Sequence, residues 1–450
     1  MKISVFTGVT PVLLCAGLGV SLCNPAFAIP AFARKYGMPC SACHEAWPKL
    51  NNFGQVFKDN GYQLMNERDA PIYQNPSYFP ISFRMTPQWH RESTNRMAVD
   101  NVPGDATSGQ SEAKVITSGF DFSGLDLWTA GTLANNISFQ VLPTVDSDGT
   151  VGFESAWIRF DNHFKSRWFN LKVGRHELDT PISEKRFLAL TNNGGFYQIY
   201  HTIPISSDIN AFGLGDNQLG AELMGHSQNS YTRYAFSVLS STDGAPGLAT
   251  NRSYDVYGDF SQAFQVPHLG VQRVGAYGYY GHSPTYYLTS GGDPIPGTGL
   301  GNRSFSRAGA YGIWYAGKFD FSTVYMHGRD NVLLGTGTPA NQSDTLPDGA
   351  RDPIWNGGFI EAHYTYSPQL ILVGRYETIR VSQQALPSVA STTGNTDAWV
   401  AGFRYYPIMS SRAGIAYHVE YSHVRNSGTS PITGRDVRSS SVMLGFDFAF

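Results

Sequence analysis

From Ile81 to the C-terminus the chain alternates apolar and polar residues. In the last stretch, Val442, Leu444, Phe446, Phe448 and Phe450 alternate with Met443, Gly445, Asp447 and Ala449. Ile415, Val419 and Tyr421 alternate with Ala416, His418, Glu420 and Ser422; Tyr234, Phe236 and Val238 alternate with Arg233, Ala235 and Ser237. A period of two places each set on its own face of a β-strand. The pattern predicts sixteen strands, at roughly 81–91, 113–132, 137–145, 152–162, 167–176, 218–227, 231–242, 253–264, 271–283, 304–316, 318–330, 355–366, 370–381, 396–408, 413–425 and 436–450.

The connections carry a second pattern. Those after even-numbered strands are short, such as Phe164-Lys165-Ser166, Gly317 and Ser367-Pro368-Gln369. Those after odd-numbered strands are mostly long: 92–112, 177–217, 284–303, 331–354 and 382–395. Short turns on one side and long loops on the other are the layout of an outer-membrane β-barrel, with the turns in the periplasm. An even strand count brings both ends of the barrel to the periplasmic side. The expected fold class is therefore all-β, a transmembrane barrel of about 16 strands spanning 81–450, in contact with outer-membrane lipid. Composition agrees. Aromatic residues make up 14% and charged residues 15%, below the usual quarter, and there are 48 glycines. A soluble β-protein explains neither the loop asymmetry, the low charge nor the terminal Phe450.

The N-terminal part reads differently. Met1-Lys2, an apolar run from Ile3 to Leu22 and the small-x-small site Ala26-Phe27-Ala28 form a cleavable export signal, 1–28. No stretch after residue 28 is long and apolar enough for a transmembrane helix. Losing Lys2 with the signal moves the net charge from −3 to −4, and with no basic run there is no footprint for nucleic acid. Residues 29–68 form a short, mainly α segment. Pro48 can start a helix, Leu50, Phe53 and Phe57 share one face, and Gly61 suits the position after its end. Three prolines between Asp69 and Pro80 make 69–80 an extended linker.

Cys15 and Cys23 leave with the signal, so only Cys40 and Cys43 remain, in the run Cys40-Ser41-Ala42-Cys43-His44. Two thiols three positions apart, followed by an imidazole, are the attachment signature of one c-type haem. Each thiol can bond to one vinyl group, and His44 is then held over the ring as proximal ligand. A redox pair is usually found near a βαβ pattern, and none surrounds this one. A structural zinc site needs four Cys/His ligands, and there is no third cysteine. The distal iron ligand is expected to be Met65, which follows the helix and can fold back, with Met38, Met85 and His90 as rivals. The other histidines of the twelve read as lumen or loop surface.

A signal, then Pro30-Ala31-Phe32-Ala33-Arg34, one Cys40-Ser41-Ala42-Cys43-His44, Asn60-Gly61-Tyr62 and a large barrel together resemble the fused outer-membrane cytochrome–porins, whose best-known members are iron oxidases. The stretch from Leu171 to Asp179 is also similar to that family's mid-barrel segment. The resemblance implies a monohaem plug or cap on a porin. It implies an electron-transfer oxidoreductase that takes electrons from an extracellular donor, Fe(II) foremost, and passes them to a soluble periplasmic cytochrome c. The alternatives are a solute porin with a structural haem plug, and electron export to an outside acceptor. Glu177, Asp179 and Glu184 lie in the longest connection and could attract Fe(II), but Lys185 and Arg186 beside them favour an ordinary ion-paired loop. A loop of that length is long enough to fold into the lumen and narrow it.

Overall fold

The computed structural model describes residues 30–450 apart from 47–48, 66–68, 75–79, 146–148, 184–186, 190–216, 241–253, 285–286, 289–293, 296–301, 335–345, 347–348 and 410–412. The export signal and Glu184, Lys185 and Arg186 lie outside the described residues.

Sixteen antiparallel strands close into one barrel. In chain order they are β3 (Ile81–Val102), β4 (Asp105–Ala134), β5 (Ile137–Val145), β6 (Val151–Phe160), β7 (Asn170–Glu177), β8 (Asn217–His226), β9 (Thr232–Ser240), β10 (Tyr254–Val266), β11 (Gly270–Pro284), β14 (Asn302–Ala316), β15 (Phe319–Arg329), β16 (Ile354–Ser367), β17 (Leu370–Gln383), β18 (Thr396–Met409), β19 (Gly414–Asn426) and β20 (Val437–Ala449). A small hairpin, β12 (Tyr287–Leu288) and β13 (Pro294–Ile295), stands outside the barrel sheet. Strand β20 pairs with β3 to close the ring. There Phe83 and Phe450 exchange both backbone hydrogen bonds, at 2.8 and 3.1 Å, and stack at 4.8 Å. The chain's last residue thus lies at the rim where the barrel begins, as an even strand count requires.

The alternation becomes two faces. On β20, Val442, Leu444 and Phe446 are 37–43% exposed, whereas Met443 and Asp447 are buried. The inward face is charged: Glu222, Arg307, Glu361, Arg375, Arg404 and Asp447 are all buried. Interior carboxylates and guanidinium groups are sustained only by pairing. Arg307 meets Asp330 at 2.8 Å, and Arg375 meets Glu377 at 2.7 Å.

Fourteen of the expected strands lie within about three residues of their observed limits; the first two do not. The expected loop 92–112 is strand. β3 runs for 22 residues and β4 for 30, joined by a tight turn in which Gly104 has φ +80°. The polar run was expected to be a loop because no lipid-facing alternation marks it. It stays extended because the two strands pair with each other beyond the barrel wall, from Met97↔Ala113 to Val102↔Asp105.

The N-terminal segment holds three short helices and a two-stranded turn: α1 (Pro30–Tyr36), α2 (Cys40–Cys43), β1 (His44–Ala46), β2 (Lys49–Leu50) and α3 (Asn52–Asp59). The expected start of the last helix at Pro48 is displaced to Asn52. Asn51 caps it, its side chain accepting from Gly54 N at 2.9 Å, and the preceding residues pair as β1–β2 instead. Gly61 does follow the helix end in the left-handed region, at φ +74°.

Candidate functional site

The N-terminal segment crosses the barrel mouth on the side of the short turns and is tied to opposite walls. At the seam, Ala31 N donates to Ser82 Oγ at 3.1 Å and Arg34 donates to Ile81 O at 2.7 Å. Against β5 and β6, Tyr62 stacks between Phe32 (4.8 Å) and Trp157 (6.2 Å), and its hydroxyl donates to Gln140 Oε1 at 3.0 Å. The end of α3 meets two arginines. Arg159 donates to the carbonyls of Lys58 and Asp59 at 3.1 and 3.2 Å. Arg233 grips the Asp59 carboxylate through two hydrogen bonds, at 2.9 and 3.0 Å. On the far wall, Lys49 pairs with Glu45 (3.0 Å) and Asp320, and Tyr315 donates to Glu45 Oε1 at 2.8 Å. His363 completes this group, between Asp320 (2.8 Å) and Glu361 (2.7 Å).

Both anchors are electrostatically settled. Burial works against the charge on Lys49, but Glu45 and Asp320 together raise its pKa above the usual lysine value. Burial likewise opposes the charge on Asp59, yet Arg233 holds its carboxyl below the usual range.

The connection after β7 turns inward and lies over this plug. Leu178, Ile182, Phe187, Leu188 and Ala189 are at most 2% exposed and form one apolar cluster with Ala46 of the plug. The amides of Leu188 and Ala189 donate to Glu361 Oε1 at 2.8 and 3.3 Å, and Arg404 donates to Leu188 O at 2.9 Å. The described part of the loop therefore reaches the opposite wall and narrows the lumen, as its length allowed. Asp179 is ion-paired, as favoured, but to plug and wall: it meets Arg233 at 2.6 Å and Lys58 at 3.9 Å, and Glu177 also reaches Lys58 at 3.9 Å. Among the described residues no three His, Cys, Asp or Glu side chains gather as a metal cluster.

The haem-motif residues lie inside this assembly. Cys40 and His44 are buried, and Cys43 is partly so. Neither thiol is in a disulfide. Burial pushes the Cys43 thiol up to about 11, which leaves it neutral and unlike a reactive redox thiol. Asn51 donates to Ala42 O at 3.0 Å and ties the motif to α3. Gly54 is needed for that approach, since a Cβ there would come 2.1 Å from Cys43 O. Two thiols one helical turn apart, with His44 leaving the helix in extended backbone (φ −121°, ψ 141°), fit covalent haem in donor type and spacing. Among the described residues no further side chain joins these as a zinc site would need.

The distal candidates are dispersed. Met65 is 43% exposed, in left-handed backbone (φ +61°) after α3. Met38 packs with Tyr36, Phe57 and Tyr62. Met85 and His90 belong to the barrel wall; Met85 pairs with Phe448 on the lipid side, and His90 stands 3.9 Å from Glu92. The anchoring residues Arg159, Arg233, Asp320 and His363 carried no motif. Their only sequence signal is charge at inward positions of the alternation.

The sequence profile described as phosphate-selective porin O and P matches residues 101–450. Similar solved structures include the anion-selective porin of Comamonas acidovorans (12% identity, TM-score 0.47, covering 82% of this chain and 99% of that one). They also include Salmonella typhi OmpF in complex with daunomycin (10%, 0.47, 82% and 97%) and Pseudomonas putida OprB (9%, 0.46, 82% and 94%). No curated protein matches the sequence.

Proposed function

The chain belongs to the phosphate-selective porin O and P family and lies in the bacterial outer membrane, and from that premise we propose that it is a porin whose pore is filled by an N-terminal plug carrying one covalent c-type haem. The observation that carries the plug reading is the Cys40–His44 motif on a segment tied across the lumen, to Arg159 of β6 on one side and Asp320 of β15 on the other. Cys40 and Cys43 would hold the haem and His44 would ligate it, with Met65 as the sequence's candidate on the other face. Bound there, the group supplies a one-electron carrier. The chain's own residues position it: Arg233 and Lys49 fix the two ends of the plug, while Leu178, Phe187 and Leu188 keep bulk water from its upper side.

Two uses of such a barrel follow. Passage of small solutes is favoured by the match to a family described as phosphate-selective porins. Phosphate selectivity itself draws no support from the lumen arginines Arg233, Arg307, Arg375 and Arg404, which all face carboxylates. Electron transfer from an extracellular donor such as Fe(II) to a periplasmic soluble cytochrome c is the second reading. It draws support from residues 30–64, which precede the matched region and bury the motif where electrons could be relayed between the two sides.

The test combines three measurements on the purified protein. Haem staining on a denaturing gel should show covalent haem that is lost in Cys40→Ser with Cys43→Ser; full staining of the double variant sinks the attachment. Liposomes carrying the protein should leak small sugars and phosphate if it is a solute porin. Tight liposomes, together with haem reduction by Fe(II) within the mixing time, would instead select the electron port.

A further inference from the structure

One sector of the outer wall carries more positive charge than its own acids neutralise. Rim arginines elsewhere on the barrel are matched by carboxylates. Arg380 meets Asp397 at 2.6 Å, and Arg303 and Arg329 both reach Asp352, at 2.9 and 2.8 Å. Around the seam that closes the ring this matching fails. Arg425 of β19 and Arg438 of β20 are direct register partners, and both are exposed. Like charges placed opposite each other on two strands repel. Arg425 is answered by Asp436 at 2.7 Å, and that one acid also lies within electrostatic range of Arg438. Among the described residues no carboxylate stands at ion-pair distance from Arg438, Lys114 or Arg91.

Register carries the row across the seam. Arg438 N donates to Asn95 Oδ1 of β3 at 2.8 Å, and Lys114 of β4 adjoins Val115, the partner of Thr94. Neighbouring strands lie about 4.8 Å apart, so Arg425, Arg438 and Lys114 span roughly 15 Å of the rim. Arg91, four positions nearer the periplasm than Asn95, pairs with Val442. The row faces outward, because its members share faces with lipid-side residues: Arg425 with Tyr421, Arg438 with Val442, Lys114 with Ile116 and Phe120. Those apolar and aromatic side chains are exposed and lie on the periplasmic side of the cations. An aromatic girdle marks the edge of the hydrocarbon layer. The row stands just above it on the long-loop side, at the headgroup level of the outer leaflet. Its occupant must therefore lie beside the barrel, where lipid already is. Guanidinium groups bind phosphate through paired hydrogen bonds, and Arg91 can extend its stem upward to the same level.

We propose that the outer face of β19, β20, β3 and β4 binds the phosphate groups of an outer-leaflet glycolipid, with Arg438 and Lys114 as the main contacts and Arg425 and Arg91 beside them. Such a lipid relieves the repulsion between Arg425 and Arg438 and bridges the strands at the seam. This inference is independent of the haem and of what passes through the lumen.

The test follows retention of bisphosphorylated lipid A by the purified, folded protein in neutral detergent, using native mass spectrometry, with heat-modifiable gel migration as the check of folding. Wild type should hold the lipid and release it as salt rises. Arg438→Ala combined with Lys114→Ala should weaken retention at least about tenfold. Arg438→Lys should lose less than Arg438→Ala. Arg380→Ala, which alters a rim arginine already paired, should bind as wild type. If the double variant does not fold, Arg438→Gln is judged by the same loss. Unchanged retention in the folded variants overturns the site, and an equal loss in Arg380→Ala reduces it to general surface charge. Equal retention of dephosphorylated lipid A excludes phosphate as the group recognised. Equal retention of phosphatidylglycerol, or displacement by millimolar inorganic phosphate, overturns the glycolipid as occupant.

Discussion

The plug is held on two walls, and its two main anchors are built differently. On β9, Arg233 offers a planar fork that binds Asp59 through two hydrogen bonds and Asp179 through a third. On β15 and β16, Lys49 is a compact charge among Glu45, Asp320 and His363. A guanidinium fork fixes direction as well as distance, whereas an ammonium tolerates rotation about its stem. The end of α3 is therefore held in orientation, while the turn after the haem motif is held mainly in place. Close fit at the motif must come from packing: the contact of Gly54 with Cys43 and of Cys40 with the wall.

The most severe way to break the comparison is Arg233→Ala. It leaves Asp59 and Asp179 buried without their main partner, and removing one side of a buried pair costs about 3–5 kcal/mol. Hydrogen exchange in α3 should rise sharply, and Arg233→Lys should rescue little because the fork is lost. Unchanged protection of α3 in Arg233→Ala would show that the arginine is not an anchor. Lys49→Ala should cost less, on the order of 3 kcal/mol, because Asp320 keeps His363. Exchange there should rise in β1–β2 more than in α3; equal loosening of both ends would mean the anchors act as one.

Acid and base should separate the anchors without mutation. Asp59 has a lowered folded pKa, so its contribution is present above its unfolded value, about 3.9, and is lost as pH falls through the folded value. Lys49 has a raised folded pKa, so its contribution is present below about 10.4 and is lost as pH rises through the folded value. Protease cleavage of the plug should therefore begin at the α3 end in acid and at the β1–β2 end in base. The same first cut in both conditions would contradict the assignment. Smallest of all should be Met65→Ala, which removes a half-exposed side chain and should change plug stability by no more than about 0.5 kcal/mol in a denaturant titration. A larger loss would place Met65 in a contact that its exposure does not show.

Sequence made the barrel legible because lipid on one side and a filled lumen on the other impose a strict period of two. Val442 to Phe450 and Ile415 to Ser422 show it plainly. The period disappears where lipid ends, which is why the paired stretch 92–112 read as a loop. The Cys40–His44 motif stands out in the sequence because covalent attachment of a haem would demand that fixed spacing. The seat of the plug was not. Asp59 and Arg233 are 174 positions apart, and Lys49 and Asp320 are 271 apart. No local pattern joins such residues, and only the closed ring brings them face to face.

The long first hairpin changes how the molecule meets its surroundings. Beyond Thr94 strand β3 has left its neighbour β20, and the ribbon 95–114 continues alone. An isolated two-stranded ribbon is marginal in water, but this one is propped at its base. Arg96 meets Glu112 at 3.3 Å and donates to Asp436 O at 2.6 Å, and Glu112 accepts from Thr433 Oγ1 at 2.6 Å. Eight residues per strand at about 3.3 Å each give an arm of roughly 25 Å beyond the rim. At its other end the same strand carries Ser82 and Ile81, which hold α1. A tug on the outer arm is therefore transmitted along unbroken backbone to the floor of the pore, making β3 a tether between the cell's surroundings and the plug.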